Sequence, residues 1–272
     1  MMEYKKSYKP SKGFTPICEI GKCSLKMLEF GIIELGKNET LDFETHNKEV
    51  AFIFLEGCAN VSVKGIIDFG LVGKRKDVFS GKAEAVYVPR NRSVKLSTPW
   101  SCKIAVIGTP LEEDTSEELI TQDKVRAVTL GVQPYQRDTH FIIDGTTNAR
   151  HLTIGEAWIT PGNWAGFPPH KHDVDNMPKE GVAEEIYYFL FHPKQGFAIQ
   201  SIYTTDGEID KCYRVRENDL VEFPYGYHTT VGAPGYNTYF LWMMAGEHQG
   251  FYRSNDEEHE WVTAVENIIK KS

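Results

Sequence analysis

From Leu28 to Ala245 the chain is a succession of short β-forming runs, each stopped by Gly, Pro or Asn, and the second half repeats the first. Leu28 to Leu35 ends at Gly36, and Val50 to Leu55 ends at Glu56-Gly57. Ala59 to Val63, Ala85 to Val88, Val94 to Leu96 and Lys103 to Ile107 follow. The later runs are His151 to Ile159, Ile186 to Phe191, Gly196 to Tyr203, Lys211 to Val215, Asp219 to Phe223 and Tyr236 to Ala245. Runs of this length and spacing predict an antiparallel sandwich or barrel. Helical periodicity is scarce, with candidates only at Thr115 to Thr121 and Trp261 to Lys271.

The halves correspond in detail. Val86-Tyr87-Val88-Pro89-Arg90-Asn91 matches Val221-Glu222-Phe223-Pro224-Tyr225-Gly226, and Phe54-Leu55-Glu56-Gly57 matches the stretch from Phe191 to Gly196. Such repetition predicts two copies of one barrel. The polar stretch Thr121 to Gln136 sets the boundary, giving an N-terminal barrel over 1–125 and a C-terminal barrel over 126–272. A chain of 272 residues, 41% hydrophobic, has ample material for both cores.

A formal net charge of -8 without any basic block excludes a nucleic-acid binder as the expectation. The charged start, Met1-Met2-Glu3-Tyr4-Lys5-Lys6, has no apolar stretch behind it, so no signal peptide, no membrane span and a cytoplasmic location are expected. Five cysteines without a CxxC pair predict reduced, structural thiols.

The chemistry concentrates in the second half. His170 and His172 stand one residue apart in Pro168-Pro169-His170-Lys171-His172-Asp173, so in a strand both imidazoles share a face. The strand Glu184 to Phe191 supplies a carboxylate: if Tyr187 and Phe189 point inward, so does Glu185, whereas Glu184 points away. His228, after the turn Pro224-Tyr225-Gly226-Tyr227, completes three imidazoles and one carboxylate. That donor set suits one divalent ion, Zn, Mn, Fe or Ni, and leaves positions open for substrate. The first half has one histidine, His46, and is expected to be a structural barrel without metal. His140, His151, His192, His248 and His259 lack such company and are read as ordinary polar residues.

His170-Lys171-His172, Glu185 and His228 resemble the two motifs of cupins, except that residues 174–183 intervene before the Glu. The stretch Thr160 to Asp173, with Glu184-Glu185-Ile186-Tyr187-Tyr188, Gln195 to Gln200, Pro224 to His228 and Ala233-Pro234-Gly235-Tyr236, is similar to the 5-deoxy-glucuronate isomerase family of myo-inositol catabolism. Asp77 to Gly81 and Val86 to Pro89 fit the same family. Ala165-Gly166 stands where that pattern has serines, and Thr229 where it has a proline. The resemblance implies a bicupin and an aldose–ketose isomerisation of 5-deoxy-D-glucuronate to 5-dehydro-2-deoxy-D-gluconate. It implies no organic cofactor, a small sugar-acid substrate, and sheet edges open to homo-oligomer formation.

Such a reaction needs a base and a stabiliser of negative charge on oxygen. The base candidates are Tyr187, on the inward face, Glu184, Tyr227 and a metal-bound water. Arg150 is the candidate cation for the substrate carboxylate, and Gln200 and Tyr227 are candidates for sugar hydroxyls, while parity turns Lys171 away as a solvated lysine. Three rivals stand beside this reading: the related 5-keto-4-deoxyuronate isomerase of pectin breakdown, an Fe(II) cupin dioxygenase, and a non-catalytic sugar-binding cupin.

Overall fold

A computed structural model describes residues 3–270, so Met1, Met2, Lys271 and Ser272 lie outside the described residues. The chain is mainly β, with one α-helix, Trp261–Ile269. It divides into two compact units.

The N-terminal unit is built from a six-stranded and a four-stranded sheet. Across the first run Glu118–Ile120, Ala85–Val88, Lys48–Gly57, Cys102–Pro110, Glu29–Leu35 and Gly13–Cys18. Across the second run Thr40–Glu44, Ser93–Ser97, Ala59–Val63 and Ile67–Val72. Alternation turns Val50, Phe52, Phe54, Val61, Val63, Val86, Val88, Val94, Leu96, Ile104 and Val106 into one buried cluster. Each such side chain contributes about 1.5–3 kcal/mol when fully buried.

The C-terminal unit repeats the plan. Its seven-stranded sheet runs Lys5–Ser7, Asp219–Phe223, Ala183–His192, Asn237–Gly246, Leu152–Ile159, Arg137–Ile143 and Arg126–Leu130. Its five-stranded sheet runs Asp210–Arg216, Phe197–Tyr203, Tyr227–Gly232, Trp164–Lys171 and Ser254–Asn255. Aromatic rings fill much of the interior: Tyr187 lies 4.5 Å from Phe240 and 4.8 Å from Phe223, centroid to centroid.

Three expectations need correction. A single cut at 125/126 does not describe the units: the segment ending at Tyr8 belongs to the C-terminal one, and 141–154 belong to the N-terminal one. The cause of the first is strand addition, since Lys5–Ser7 pairs with Asp219–Phe223 through Lys5↔Val221, and such pairing leaves no trace in local periodicity. Thr115 to Thr121 is not helical; Leu119 and Ile120 pair with Val86 and Ala85, and Ile120 is buried. Finally, Cys18 and Cys23 form a disulfide, with Cα atoms 5.5 Å apart. The turn that closes it, with Lys22 N and Cys23 N donating to Glu19 O at 2.9 and 3.1 Å, escapes a search for CxxC. Cys58, Cys102 and Cys212 are free. No helix among the described residues is long and apolar enough to cross a membrane.

Candidate metal centre

Two sheets of the C-terminal unit present the donors. The strand Trp164–Lys171 pairs with Tyr227–Gly232, placing His170 directly opposite His228. The strand Ala183–His192 carries Glu185, opposite Phe223 on one side and Met244 on the other. Gly226 makes the approach to His228 possible. Its φ of +94° is left-handed, and a Cβ there would stand 2.8 Å from Tyr203 O, so a side chain would be both strained and obstructed. Its N–H donates to Asp173 Oδ2 at 2.8 Å, tying the turn to the chain just beyond His172.

His172, Glu185 and His228 are all buried, and their ligand atoms lie within 4.8 Å of one another. His172 Nε2 and His228 Nε2 each stand 3.0 Å from Glu185 Oε2. The other nitrogens face backbone: His172 Nδ1 is 2.6 Å from Ala183 O and His228 Nδ1 is 3.4 Å from Gly226 O. A carbonyl at Nδ1 selects the tautomer that leaves a lone pair on Nε2, as metal-bound histidines require. Glu185 Oε1 and His228 Nε2 have no hydrogen-bond partner among the described residues. Donors about 2.0–2.2 Å from one ion and roughly at right angles stand about 3 Å apart, which the two 3.0 Å separations match. The group can hold a metal.

His170 stands beside this group. Its ring is 4.5 Å from that of His228 and 6.5 Å from that of His172, and neither ring nitrogen has a partner among the described residues. Gly166 lets it lie there, since a Cβ at that position would meet His170 Cε1 at 3.0 Å.

The electrostatics favour neutral imidazoles at His170 and His228 and an ionised carboxylate at Glu185, while burial at His172 is outweighed by the Glu185 hydrogen bond and charge, which raise it. Burial, then the charge of Arg253, pushes His170 well below its ordinary pKa. Burial likewise lowers His228, although Glu185 opposes it. Burial works against charge on Glu185 too, but hydrogen bonding and charge from His172 and His228 outweigh it and hold the carboxyl below its ordinary range.

The remaining candidates separate. Tyr187 shares the face of Glu185, with its ring 5.7 Å from that of His228. Burial, reinforced by Glu185, pushes its phenol well above the usual value, so it keeps its proton and can serve as a donor, not as a ready base. Glu184 is buried, opposite Ala245 and on the other face of the strand, outside the donor group. Gln200 is occupied: its amide donates to Ser201 O and Thr229 O at 2.9 and 3.0 Å and accepts from Thr230 Oγ1. It clamps the strands Phe197–Tyr203 and Tyr227–Gly232, leaving its donors no freedom for a sugar. Tyr227 alternates away from His228 and stacks on Tyr203 at 5.5 Å, with Lys171 Nζ 5.9 Å from its ring. Lys171 does turn from the metal group but is not solvated; it pairs with Asp173 and, at 2.8 Å, with Glu180. Glu180 Oε1 also accepts from Asp173 N and Val174 N at 2.9 and 3.0 Å, so the long insertion is folded onto the end of the His-x-His strand. Arg150 belongs to the N-terminal unit, where it pairs with Glu113 at 3.7 Å and gives its backbone N–H to Glu49.

Two cations near the site were not foreseen. Arg137 is buried, and Arg253 keeps some surface but encloses its Nη1. The charges of both act on Tyr187 and on His170. Burial, then the charge of Arg253, brings Arg137 down to about 10. Arg137 lies next to a stretch read as an irregular boundary, and Arg253 follows Gly250-Phe251-Tyr252, where no periodicity assigns a face. Only the alternation of Arg137 and Thr139 hinted at an inward pair.

With the geometry established, comparison with known proteins is informative. Residues 4–262 match the KduI/IolB family, and the chain belongs to it. It is 36% identical over 234 residues to the 5-deoxy-glucuronate isomerase of Geobacillus kaustophilus (strain HTA426), covering 86% of this chain and 84% of that protein. It is 31% identical over 267 residues to the enzyme of the same name from Bacillus subtilis (strain 168), covering 96% and 98%. An IolB-like protein from Salmonella typhimurium LT2 superposes with a TM-score of 0.91 at 27% identity, over 96% of this chain and 99% of that one. Oxalate decarboxylase from Bacillus subtilis superposes at 0.63 with 12% identity, over 94% and 80%, a likeness of fold alone that fits the two-barrel bicupin architecture.

Proposed function

We propose that the chain is a metal-dependent aldose–ketose isomerase that converts 5-deoxy-D-glucuronate to 5-dehydro-2-deoxy-D-gluconate in myo-inositol catabolism. The observation that carries the activity is the name shared by relatives 31–36% identical over most of the chain. The metal rests on the buried group His172, Glu185 and His228, which has donors left unpaired and no apolar reason to exist. His170 is the fourth ligand in this reading, reaching the ion through one of its unpartnered nitrogens. The ion is a divalent first-row metal.

The ion, when bound, supplies a Lewis acid that stabilises negative charge on the substrate oxygens. The chain does the rest. Backbone carbonyls fix the tautomers of His172 and His228. Tyr187, protonated at neutral pH, donates a hydrogen bond to a substrate oxygen that gains negative charge in the isomerisation. Phe223, Phe240 and Trp242 line the same interior and limit water, which would compete for those oxygens.

The test is elemental analysis of the purified protein, followed by assays on 5-deoxy-D-glucuronate and on 5-keto-4-deoxyuronate, with and without chelator. Loss of the first activity on chelation, restored by one metal, is the expected outcome. Full activity in metal-free protein removes the metal from the proposal, and preference for the pectin-derived substrate replaces the reaction.

A further inference from the structure

Arg253 precedes the short strand Ser254–Asn255, which pairs with the His-x-His strand through His170↔Asn255 and Lys171↔Ser254. Directly opposed residues in a sheet put their side chains on one face. Asn255 therefore shares the face of His170, and Arg253, two residues earlier, shares that of Asn255 and His172. Arg253 Cζ sits 5.1 Å from the centre of the Phe251 ring, and that ring is 6.1 Å from the ring of His170, so Phe251 neighbours both the guanidinium and the imidazole. On the other sheet Arg137 and Thr139 share the buried face of Arg137–Ile143. Arg137 Nη1 reaches only Tyr135 O, at 3.5 Å.

Neither guanidinium has a carboxylate within ion-pair distance among the described residues. The charge of Arg253 acts on Arg137, and burial lowers both below the ordinary arginine value, against the opposing charges of Tyr187 and Glu185 at Arg253. Around them Arg253 Nη1, Asn255 Oδ1, Thr139 Oγ1 and Tyr135 OH are enclosed and without a hydrogen-bond partner. A buried guanidinium beside a second one whose Nη1 is enclosed without a partner is costly in a folded protein unless an anion joins them. A carboxylate is the group whose planar oxygen pair fits a guanidinium.

We propose that Arg137 and Arg253 together form the pocket for the substrate's carboxylate, and so make this barrel select a sugar acid over a neutral sugar. The choice of substrate rests on the isomerase reading above; the anion pocket does not. A six-carbon sugar acid carries its carbonyl and its carboxylate at opposite ends. Arg253 and His170, each beside the Phe251 ring, offer separate anchors for those two ends.

Calorimetry on the metal-loaded full chain, with D-glucuronate and D-glucose as probes, reads the pocket without turnover. The uronate binds at least about tenfold more tightly than glucose. Arg137→Met and Arg253→Met each weaken uronate binding about 10- to 100-fold, leave glucose binding and metal content unchanged, and do not lower Tm. In kinetics on 5-deoxy-D-glucuronate the same variants raise KM, with a smaller change in kcat. Should a Met variant fail to fold, Arg253→Lys and Arg137→Lys keep the charge but lose the planar fork, and uronate affinity alone falls about tenfold. Equal binding of uronate and glucose by the native protein, uronate affinity within about threefold of native in the variants, or equal loss of both sugars would overturn the assignment. Arginine-dependent uronate binding without any isomerase turnover supports the pocket and rejects the isomerase reading.

Discussion

In the C-terminal unit, Ala183–His192 lies between Asp219–Phe223 and Asn237–Gly246; in the N-terminal unit, Lys48–Gly57 lies between Ala85–Val88 and Cys102–Pro110. The register carries the equivalence to single residues. Glu185 faces Phe223, the last residue of its strand, and Val50 faces Val88, the last of its own. His170 faces His228, and Phe43 faces Val94. Two residues beyond Glu185 stands Tyr187; two beyond Val50 stands Phe52. One barrel thus holds Glu185, His170, His228 and Tyr187 where the other holds Val50, Phe43, Val94 and Phe52. Phe43 and Phe52 touch edge to face at 5.4 Å, so hydrocarbon stands where imidazole and phenol stand in the other copy, beside a cavity of about 470 Å³ lined by Phe43, Thr45, His46 and Val50. At the place of His172 stands Thr45, whose hydroxyl donates to Pro89 O at 2.8 Å. A closed sheet sets where side chains converge, and residue type alone decides whether that point is a core or a site.

The largest expected effect comes from removing the difference on the metal side. Glu185→Gln loses the ion and lowers kcat/KM about 10³- to 10⁴-fold, some 4–5.5 kcal/mol of activation free energy, whereas Val50→Ala leaves metal content and turnover as they were. Metal analysis and steady-state kinetics on both variants decide it; a metal-loaded, active Glu185→Gln breaks the comparison. Next is the reverse exchange. Val50→Glu buries a carboxylate beside Phe52, Val88 and Val106 without the trio of imidazoles that meets Glu185, only His46 lining the same cavity, and costs about 3 kcal/mol, read by urea denaturation. A stable variant that gained a metal would show that the N-terminal barrel is a dormant site.

The turns differ less. Gly226 and Asn91 occupy the same place after Phe223-Pro224 and Val88-Pro89, and both are left-handed, with φ of +94° and +58°. Gly226→Ala must push against Tyr203 O and costs about 1–3 kcal/mol, while Asn91→Gly changes stability by no more than about 0.5 kcal/mol. Equal thermal shifts for the two would mean that the turn before His228 is under no special constraint.

The gentlest probe is pH, applied to chelated protein. Glu185 and Glu180 are both held below 4.5 in the folded state, so their contribution is present above that pH and lost as pH falls through the folded values. For Glu180 burial opposes the charge, and the Lys171 hydrogen bond outweighs it. His170 and His228, lowered from 6.5 chiefly by burial, contribute stability that is present above 6.5 and falls away in acid. His172 is raised despite its burial because Glu185 bonds to it, and acts in the opposite sense: its contribution is present below 6.5 and lost as pH rises through the folded value. In the N-terminal unit the lowered carboxylates Glu39, Asp114 and Asp123 are paired on the surface, where solvent screens them. Hydrogen exchange at pH 7.5 and 5.5 therefore loses protection in 183–192 and 227–232 before it does in 48–57 and 93–97. Uniform loss across both units would contradict the contrast.

Much of this was legible in the chain. Period-two alternation placed Glu185 and Tyr187 on one face and turned Glu184 and Lys171 away, because a strand's side chains alternate whatever surrounds it. The repeat of Val88-Pro89 in Phe223-Pro224 anticipated the matched strand orders. For Gln200, Tyr227 and Arg150 the sequence showed that a polar group is present but not which groups of the chain already hold it. Gln200 is spent on Thr229 and Thr230, Tyr227 stacks on Tyr203, and Arg150 serves the N-terminal unit.

The sequence by itself determined two barrels and the face on which each donor would lie, since strand periodicity is a local property of the backbone. Tertiary structure alone decided which side chains meet. His172 and His228 are 56 residues apart yet share one carboxylate oxygen, and Arg137 feels the charge of Arg253, 116 residues away. Those meetings follow from sheet closure and register, which join strands that no local pattern connects.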